Sequence, residues 1–150
     1  MDEQQLGPGL ATPQVPMEAI AQIESSGGTN TVPPLRADGT REQAFGTYQI
    51  HKAVAQDYAK AQGISNWKDL DLTRPETNQI IYNWRMHEDI PRVLTQHGIP
   101  VTPEHMVLSY HMGDTGFKNA WKSTGGNIEQ FPSDAMKYLN KYRDFVGGAE

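Results

Sequence analysis

Apolar residues recur at intervals of three and four along most of this sequence, and glycine or proline interrupts the pattern. Near the C-terminus, for example, Met136, Leu139, Tyr142 and Val146 share one helical face. Such spacing is typical of amphipathic helices that bury one side in a core. With 150 residues, the chain is long enough for one compact domain. We therefore predict a mainly α-helical domain over residues 16–150, with at most a small β-hairpin within 28–48.

Capping residues give the predicted helix boundaries. The first helix should run from Pro16 to Ser25, and the second from Ile50 to Gln62. A third helix should begin at Thr73, because Thr73 and Glu76 have the spacing of a capping box. The predicted buried face of this third helix consists of three residues: Ile80, Ile81 and Trp84.

The second half of the chain carries similar signals. Thr102 followed by proline should open a helix that Gly113 closes, and a short helical turn should follow around residues 117–122. Ser133 should cap the last helix, which the pair Gly147–Gly148 ends.

Composition excludes several classes of protein. The chain has no cysteine, so neither disulfides nor thiolate catalysis are available. Its formal charge of −5 argues against nucleic acid as a partner, and no apolar stretch is long enough for membrane insertion. The five histidines include no pair at the spacing of a helical zinc site, so we predict no metal and no cofactor. Residues 1–15 resemble a flexible leader rather than a secretory signal.

Glu24 is the carboxylate with the most unusual position. It follows Met17, Ile20 and Ala21 at helical spacing, which places it in line with a buried stripe. Partial burial raises a carboxyl pKa, and a protonated carboxyl can act as a general acid. The spacing also leaves open an ordinary surface glutamate on a slightly rotated helix.

Five blocks of sequence, in order, resemble the motifs of lytic transglycosylases of the soluble, goose-lysozyme-like type. AIAQIESSGG resembles the Glu-Ser motif of that family, and GTYQI resembles its Gly-Leu-Met-Gln-Ile stretch. LDLTRPETNQIIYNW resembles its Asp-Pro-x-x-Asn-Ile helix start, VLSYHMG its Ala-Tyr-Asn-x-Gly motif, and PSDAMKYLNKY its closing segment. The blocks occupy these positions: 19–28, 46–50, 70–84, 107–113 and 132–142.

The resemblance implies a lysozyme-like α-helical fold with Glu24 as the single catalytic acid and base. It also implies a set of residues that bind substrate or line the groove: Ser25, Gly46, Tyr48, Gln49, Tyr110, His111 and Tyr138. Two positions depart from the family pattern. His111 stands where the family has asparagine, and Thr47-Tyr48 stands where it has Leu-Met.

The implied reaction cleaves the β-1,4 bond between N-acetylmuramic acid and N-acetylglucosamine and leaves a 1,6-anhydro end. The alternatives are a muramidase that uses Asp38 or Glu42 as a second carboxylate, and an inactive domain that binds the wall. The expected partners are peptidoglycan strands and other proteins of a phage particle or secretion apparatus. We expect the protein to be virion-associated and to act in the periplasm or cell wall.

Overall fold

The computed structural model of the protein describes residues 12–25, 27 and 44–148. This part of the chain is mainly helical with one two-stranded antiparallel sheet, as the sequence predicts, but the hairpin spans residues 44–51 and so extends beyond the predicted region 28–48. The elements in chain order are α1 (Met17–Ser25), β1 (Ala44–Phe45), β2 (Ile50–His51), α2 (Lys52–Ala61), α3 (Pro75–Trp84), α4 (Ile90–Gln96), α5 (Pro103–Thr124) and α6 (Ser133–Gly148). They form two compact units. Residues 16–85 make the N-terminal unit, and residues 86–148 with 12–15 make the C-terminal unit.

The N-terminal unit contains α1, the hairpin, α2 and α3. In the hairpin Ala44 pairs with His51 and Phe45 with Ile50. Strand β2 contacts both α2 and α3, which also contact each other. The most deeply buried hydrophobic residues of this unit are small or branched side chains and the ring of Tyr82: Ala19, Ile20, Ile50, Ala55, Ile81 and Tyr82.

Two predicted helix starts in this unit are wrong. Ile50 belongs to strand β2, so α2 begins at Lys52. Helix α3 begins at Pro75 with Arg74 as N-cap, and no side chain caps it. The capping box does not form, and Thr73 bonds to Asp71 instead. The Asp71 carboxylate accepts hydrogen bonds from the Thr73 backbone N–H at 3.1 Å and from its hydroxyl at 2.6 Å.

The predicted buried face of α3 is also partly wrong. Ile81 is fully buried, but Ile80 is 56% exposed and Trp84 is only half-buried. The residues that face inward are Asn78, Ile81, Tyr82 and Arg85, at helical spacing. A buried asparagine therefore sets the rotation of this helix, and hydrophobicity alone does not reveal it.

The C-terminal unit is built around α5, which contacts both α4 and α6. Thr102 caps α5 as predicted, since its hydroxyl accepts a hydrogen bond from His105 N–H at 3.1 Å. Gly113, with φ of 80° and ψ of 162°, interrupts the helix, but helical structure continues to Thr124. Beyond the break, Phe117 lies among three aromatic rings that fill this end of the core: His105, Trp121 and Phe131.

An ion-pair network joins separate segments of the C-terminal unit. Arg143 on α6 binds both carboxylate oxygens of Glu104 on α5, at 2.8 and 2.9 Å. It also reaches Glu129 in the short 3-10 turn Ile128–Gln130 at 2.6 Å. The hydrogen bond and charge of Arg143 hold the pKa of Glu104 below its usual value. The two-pronged geometry fixes α6 against α5 more firmly than a single exposed pair would.

Val15, at the end of the predicted leader, is buried in the C-terminal unit. Its backbone N–H donates to Nε2 of His87 at 3.1 Å. The acceptor must be a neutral imidazole nitrogen, because a protonated ring has no lone pair at that position. Burial lowers the pKa of His87 from the ordinary value of 6.5. Residues 1–11 of the leader lie outside the described residues.

The stability of the protein should therefore fall as the pH drops below about 6.5. The unfolded chain takes up a proton on His87 at a higher pH than the folded chain does, so acid favours unfolding. The His87→Gln variant keeps an acceptor for Val15 and does not titrate. Urea denaturation at pH 7 and near pH 5 should show a smaller loss of stability for this variant than for the wild type. An equal loss in both proteins would exclude His87 as the source, and His97→Gln, at an exposed histidine, is the control.

No helix in residues 12–25, 27 or 44–148 combines the length and apolar character needed to span a bilayer. Asp38 and Glu42, the candidate second carboxylates of a muramidase, lie outside the described residues.

Candidate functional site

The hairpin turn is the most strained part of the described backbone. Residues Gly46 to Gln49 connect β1 and β2, and Gln49 N–H donates to the Gly46 carbonyl at 3.1 Å. Gly46 has φ of 75° and Gln49 has φ of 49°. Glutamine rarely adopts a positive φ. The backbone strain costs of order 1–3 kcal/mol, and it persists only where neighbouring contacts hold the residue in place. Strained residues of this kind cluster at binding and catalytic sites, so the turn is a candidate.

Asn78 on α3 holds this turn in place. Its side-chain oxygen accepts a hydrogen bond from Tyr48 N–H at 2.8 Å. Its side-chain nitrogen donates to the carbonyls of Phe45 and Leu72, at 2.8 and 2.9 Å. A Cβ atom at Gly46 would lie 2.3 Å from that nitrogen, so only glycine fits. The space beside Gly46, which the resemblance implies is a groove residue, is occupied by the Asn78 side chain.

Ser25 ties the end of α1 to the same turn. Its hydroxyl lies 2.6 Å from the carbonyl of Thr47 and 3.1 Å from the carbonyl of Ala21, one helical turn earlier. Ser25 is buried, so the short bond to Thr47 forms away from water. The hydrogen bond joins two residues that are 22 positions apart, one in the Glu-Ser block and one in the GTYQI block.

Glu24 directly precedes this anchored serine and is half-buried. Ile20, one helical turn before it, is fully buried, and so is the neighbouring Ala19. Glu24 therefore lies at the border of the apolar face of α1, as its spacing predicts. Because Ser25 fixes the end of the helix, the backbone that carries the Glu24 carboxyl is held in position while part of its side chain meets solvent.

Tyr48 and Gln49 are directed inward. Tyr48 is 8% exposed and its ring stacks on Tyr82, with centroids 4.6 Å apart. Burial, and then the negative charge of Glu18, raise the pKa of Tyr48. Gln49 is 4% exposed, and its side-chain N–H donates to the Gly46 carbonyl at 2.8 Å. Both side chains, like that of Ser25, thus shape the turn, and Glu24 is the more accessible member of the group.

No family model, curated protein or solved structure matches this chain. Support for a functional site therefore comes from the geometry within each unit and from the five sequence blocks that resemble the family motifs.

The other three predicted site residues belong to the C-terminal unit. Tyr110 and His111 lie on α5 shortly before the Gly113 break, and both are half-buried. The His111 ring stacks on Tyr138 of α6, with centroids 4.3 Å apart and planes 23° apart. His111 Nε2 also lies 3.6 Å from the exposed carboxylate of Asp134. The structure thus brings His111 and Tyr138 into contact across α5 and α6.

Asn78 is the residue that sequence reasoning missed. It lies inside the block over residues 70–84 that resembles the family's helix start. The Asn of that family motif was the available signal. A single asparagine on a predicted helix face gives no indication that it binds three backbone groups. Within the described residues, no three His, Asp or Glu side chains are grouped to hold a metal ion.

Replacing Ser25 with alanine should destabilise the protein by about 1–2 kcal/mol, because the partly buried Thr47 carbonyl loses its hydroxyl donor. Chemical denaturation of wild type and Ser25→Ala measures this loss. Ser123→Ala is a matched control, since that hydroxyl is exposed and bonds only within its own helix. Equal effects of the two substitutions would show that the Ser25–Thr47 bond contributes nothing to stability.

Proposed function

We propose that this protein is a peptidoglycan lytic transglycosylase with a lysozyme-like α-helical fold and Glu24 as its catalytic acid and base. The observation that carries the proposal is the 2.6 Å hydrogen bond between Ser25 and the Thr47 carbonyl. It joins the helix end that carries Glu24 to a strained turn, and both segments come from blocks that resemble motifs of this family. A binding domain without catalysis has no need of a half-buried carboxyl held in this way.

The position of Glu24 suits proton transfer. A carboxyl at the border of an apolar helix face is partly desolvated, which favours its protonated form. In the proposed reaction, Glu24 gives its proton to the glycosidic oxygen between N-acetylmuramic acid and N-acetylglucosamine as that bond breaks. The acetamido oxygen of the muramic residue attacks C1 and forms an oxazolinium-like intermediate.

The second half of the reaction uses the same carboxyl as a base. Glu24 takes the proton of the C6 hydroxyl of the muramic residue, and the oxygen bonds to C1 as the acetamido oxygen leaves. The product is a 1,6-anhydro end, no water is consumed, and Glu24 regains its proton. A single carboxylate is sufficient for this sequence, in contrast to the pair that most glycosidases use.

The family resemblance also assigns three residues of the C-terminal unit to substrate binding: Tyr110, His111 and Tyr138. Tyr110 would bind substrate through its hydroxyl. The stacked pair of His111 and Tyr138 would bind the substrate, with His111 in the place of the family's asparagine. A neutral imidazole offers one N–H donor and one acceptor nitrogen, whereas the asparagine amide offers two N–H donors and a carbonyl oxygen.

The proposed setting is a phage particle or a secretion apparatus that opens the wall locally, so that the enzyme acts in the periplasm or cell wall. Neighbouring proteins of that assembly would be its partners, together with the glycan strands. This part of the proposal derives from the family resemblance.

The test is incubation of the purified protein with murein sacculi, followed by mass spectrometry of the soluble products. The transglycosylase reaction predicts muropeptides that are lighter by one water than hydrolytic fragments. Products of full hydrolytic mass would identify a muramidase instead. Intact sacculi with tightly bound protein would identify an inactive wall-binding domain, and the proposed reaction would be abandoned in both of these cases.

A further inference from the structure

A cavity lies on the N-terminal unit, where it is formed by α2 and by the segment that follows α2. Its volume is about 320 Å³, at the small end of the range for ligand sites. Six residues line it: Gln56, Ala59, Lys60, Ile64, Ser65 and Trp67. None of them belongs to the group around Glu24, so the cavity is separate from the proposed catalytic residues.

The lining combines an apolar interior with a polar edge. Ala59 is buried, and Ile64 and Trp67 are half-buried. The side chains of Gln56, Lys60 and Ser65 are exposed. Within the described part of the chain, none of these three polar side chains forms a hydrogen bond or ion pair, so their donors are available to a ligand.

The lining of the cavity includes one charged side chain, and that side chain is a cation. Lys60, in the last turn of α2, is the charged residue of the lining. A second ammonium group, that of Lys52, lies 5.9 Å from the centroid of the Trp67 ring. A ligand that fits this cavity therefore has a carboxylate for Lys60, amide groups for Gln56 and Ser65, and small apolar groups for the interior.

We propose that this cavity binds the stem peptide of peptidoglycan, at a point away from the glycan bond that is cleaved. The inference rests on the proposed function, because that function supplies the substrate class. Stem peptides carry carboxylates, peptide amides and alanine methyl groups, which match the three kinds of group in the lining. A neutral glycan would leave the Lys60 charge without a partner. Binding here would hold a strand through its peptide while Glu24 acts on the sugar chain.

The test uses the Glu24→Gln protein, labelled with ¹⁵N, so that no ligand is cleaved. Trp67→Phe identifies the Trp67 indole signal among the three tryptophans. The probe is the free peptide L-alanyl-γ-D-glutamyl-L-lysine. We expect a saturable shift of the Trp67 signal, with affinity in the range of about 1 mM that a few exposed contacts support.

Matched variants and ligands decide the outcome. Lys60→Met should weaken peptide binding about threefold, because it removes one exposed charge pair and keeps the chain length. Lys141→Met, at an exposed lysine of α6, should leave binding unchanged. The same peptide with both carboxylates amidated should bind more weakly to the protein that retains Lys60. Neutral tetra-N-acetylchitotetraose should not shift the Trp67 signal.

Two results would overturn the inference: no saturable Trp67 shift with the peptide, or equal binding by the wild-type cavity and Lys60→Met. Neither result bears on catalysis, which the sacculus digestion measures independently in the wild-type protein. Conversely, sacculi left intact together with a Lys60-dependent Trp67 shift would reject the proposed reaction and retain the peptide site.

Discussion

The Glu24→Gln protein should release muropeptides from sacculi at least about a thousandfold more slowly than the wild type, within the range for loss of a general acid. Glutamine has nearly the size and shape of glutamic acid and can occupy the same half-buried position. It can neither donate a proton to the glycosidic oxygen nor remove one from the C6 hydroxyl. Both steps of the proposed reaction should therefore fail together.

Glu18→Gln is the matched control for this experiment. Glu18 lies on the same helix, in its first turn, and is exposed. It should retain close to wild-type activity. Thermal denaturation should show that both variants remain folded, so that loss of activity reports on chemistry. A Glu24→Gln protein that digests sacculi as fast as Glu18→Gln would disprove the assignment of Glu24.

Replacing Gly46 with alanine should be the most destabilising single methyl addition among the described glycines. The backbone there has φ of 75°, and the new Cβ would meet the Asn78 side chain at 2.3 to 3.0 Å. That side chain cannot move aside without breaking its hydrogen bonds to Phe45, Leu72 and Tyr48. We expect a loss of about 3–5 kcal/mol, the sum of backbone strain, overpacking and broken buried bonds.

Gly63→Ala separates these contributions. Gly63 has the same φ of 75°, but nothing lies within 4 Å of its added Cβ. Only the backbone strain applies there, and its cost should be about 1–2 kcal/mol. Urea denaturation curves of the two variants, with slopes compared to the wild type, give both values. Similar losses at Gly46 and Gly63 would mean that the Asn78 packing adds nothing.

Local sequence signals predicted the helices well where nothing distant competed for the same groups. Thr102 caps α5 as predicted because no neighbouring side chain takes its hydroxyl. Thr73 does not cap α3, and its N–H and hydroxyl both donate to Asp71, two residues earlier. Both threonines precede a proline near a predicted helix start, and the contact with Asp71 distinguishes them.

Tertiary contacts explain the parts of the site that the sequence left open. The position of Glu24 at the border of the apolar face of α1 follows from helical spacing. The inward direction of Tyr48 and Gln49 does not, because it depends on Tyr82 and on the strained turn. The role of Asn78 was equally hidden, since two of its three partners, Phe45 and Tyr48, lie 33 and 30 positions earlier in the chain.

Asn78 also has a consequence for how this region can change in length. One amide group satisfies backbone groups at Phe45, Tyr48 and Leu72, so the spacing of residues 45 to 48 is fixed by a rigid side chain of a few ångströms. An inserted or deleted residue in the turn would leave buried polar groups unsatisfied and would shift the register of a hairpin only two pairs long. A change in the length of the turn should therefore be strongly destabilising.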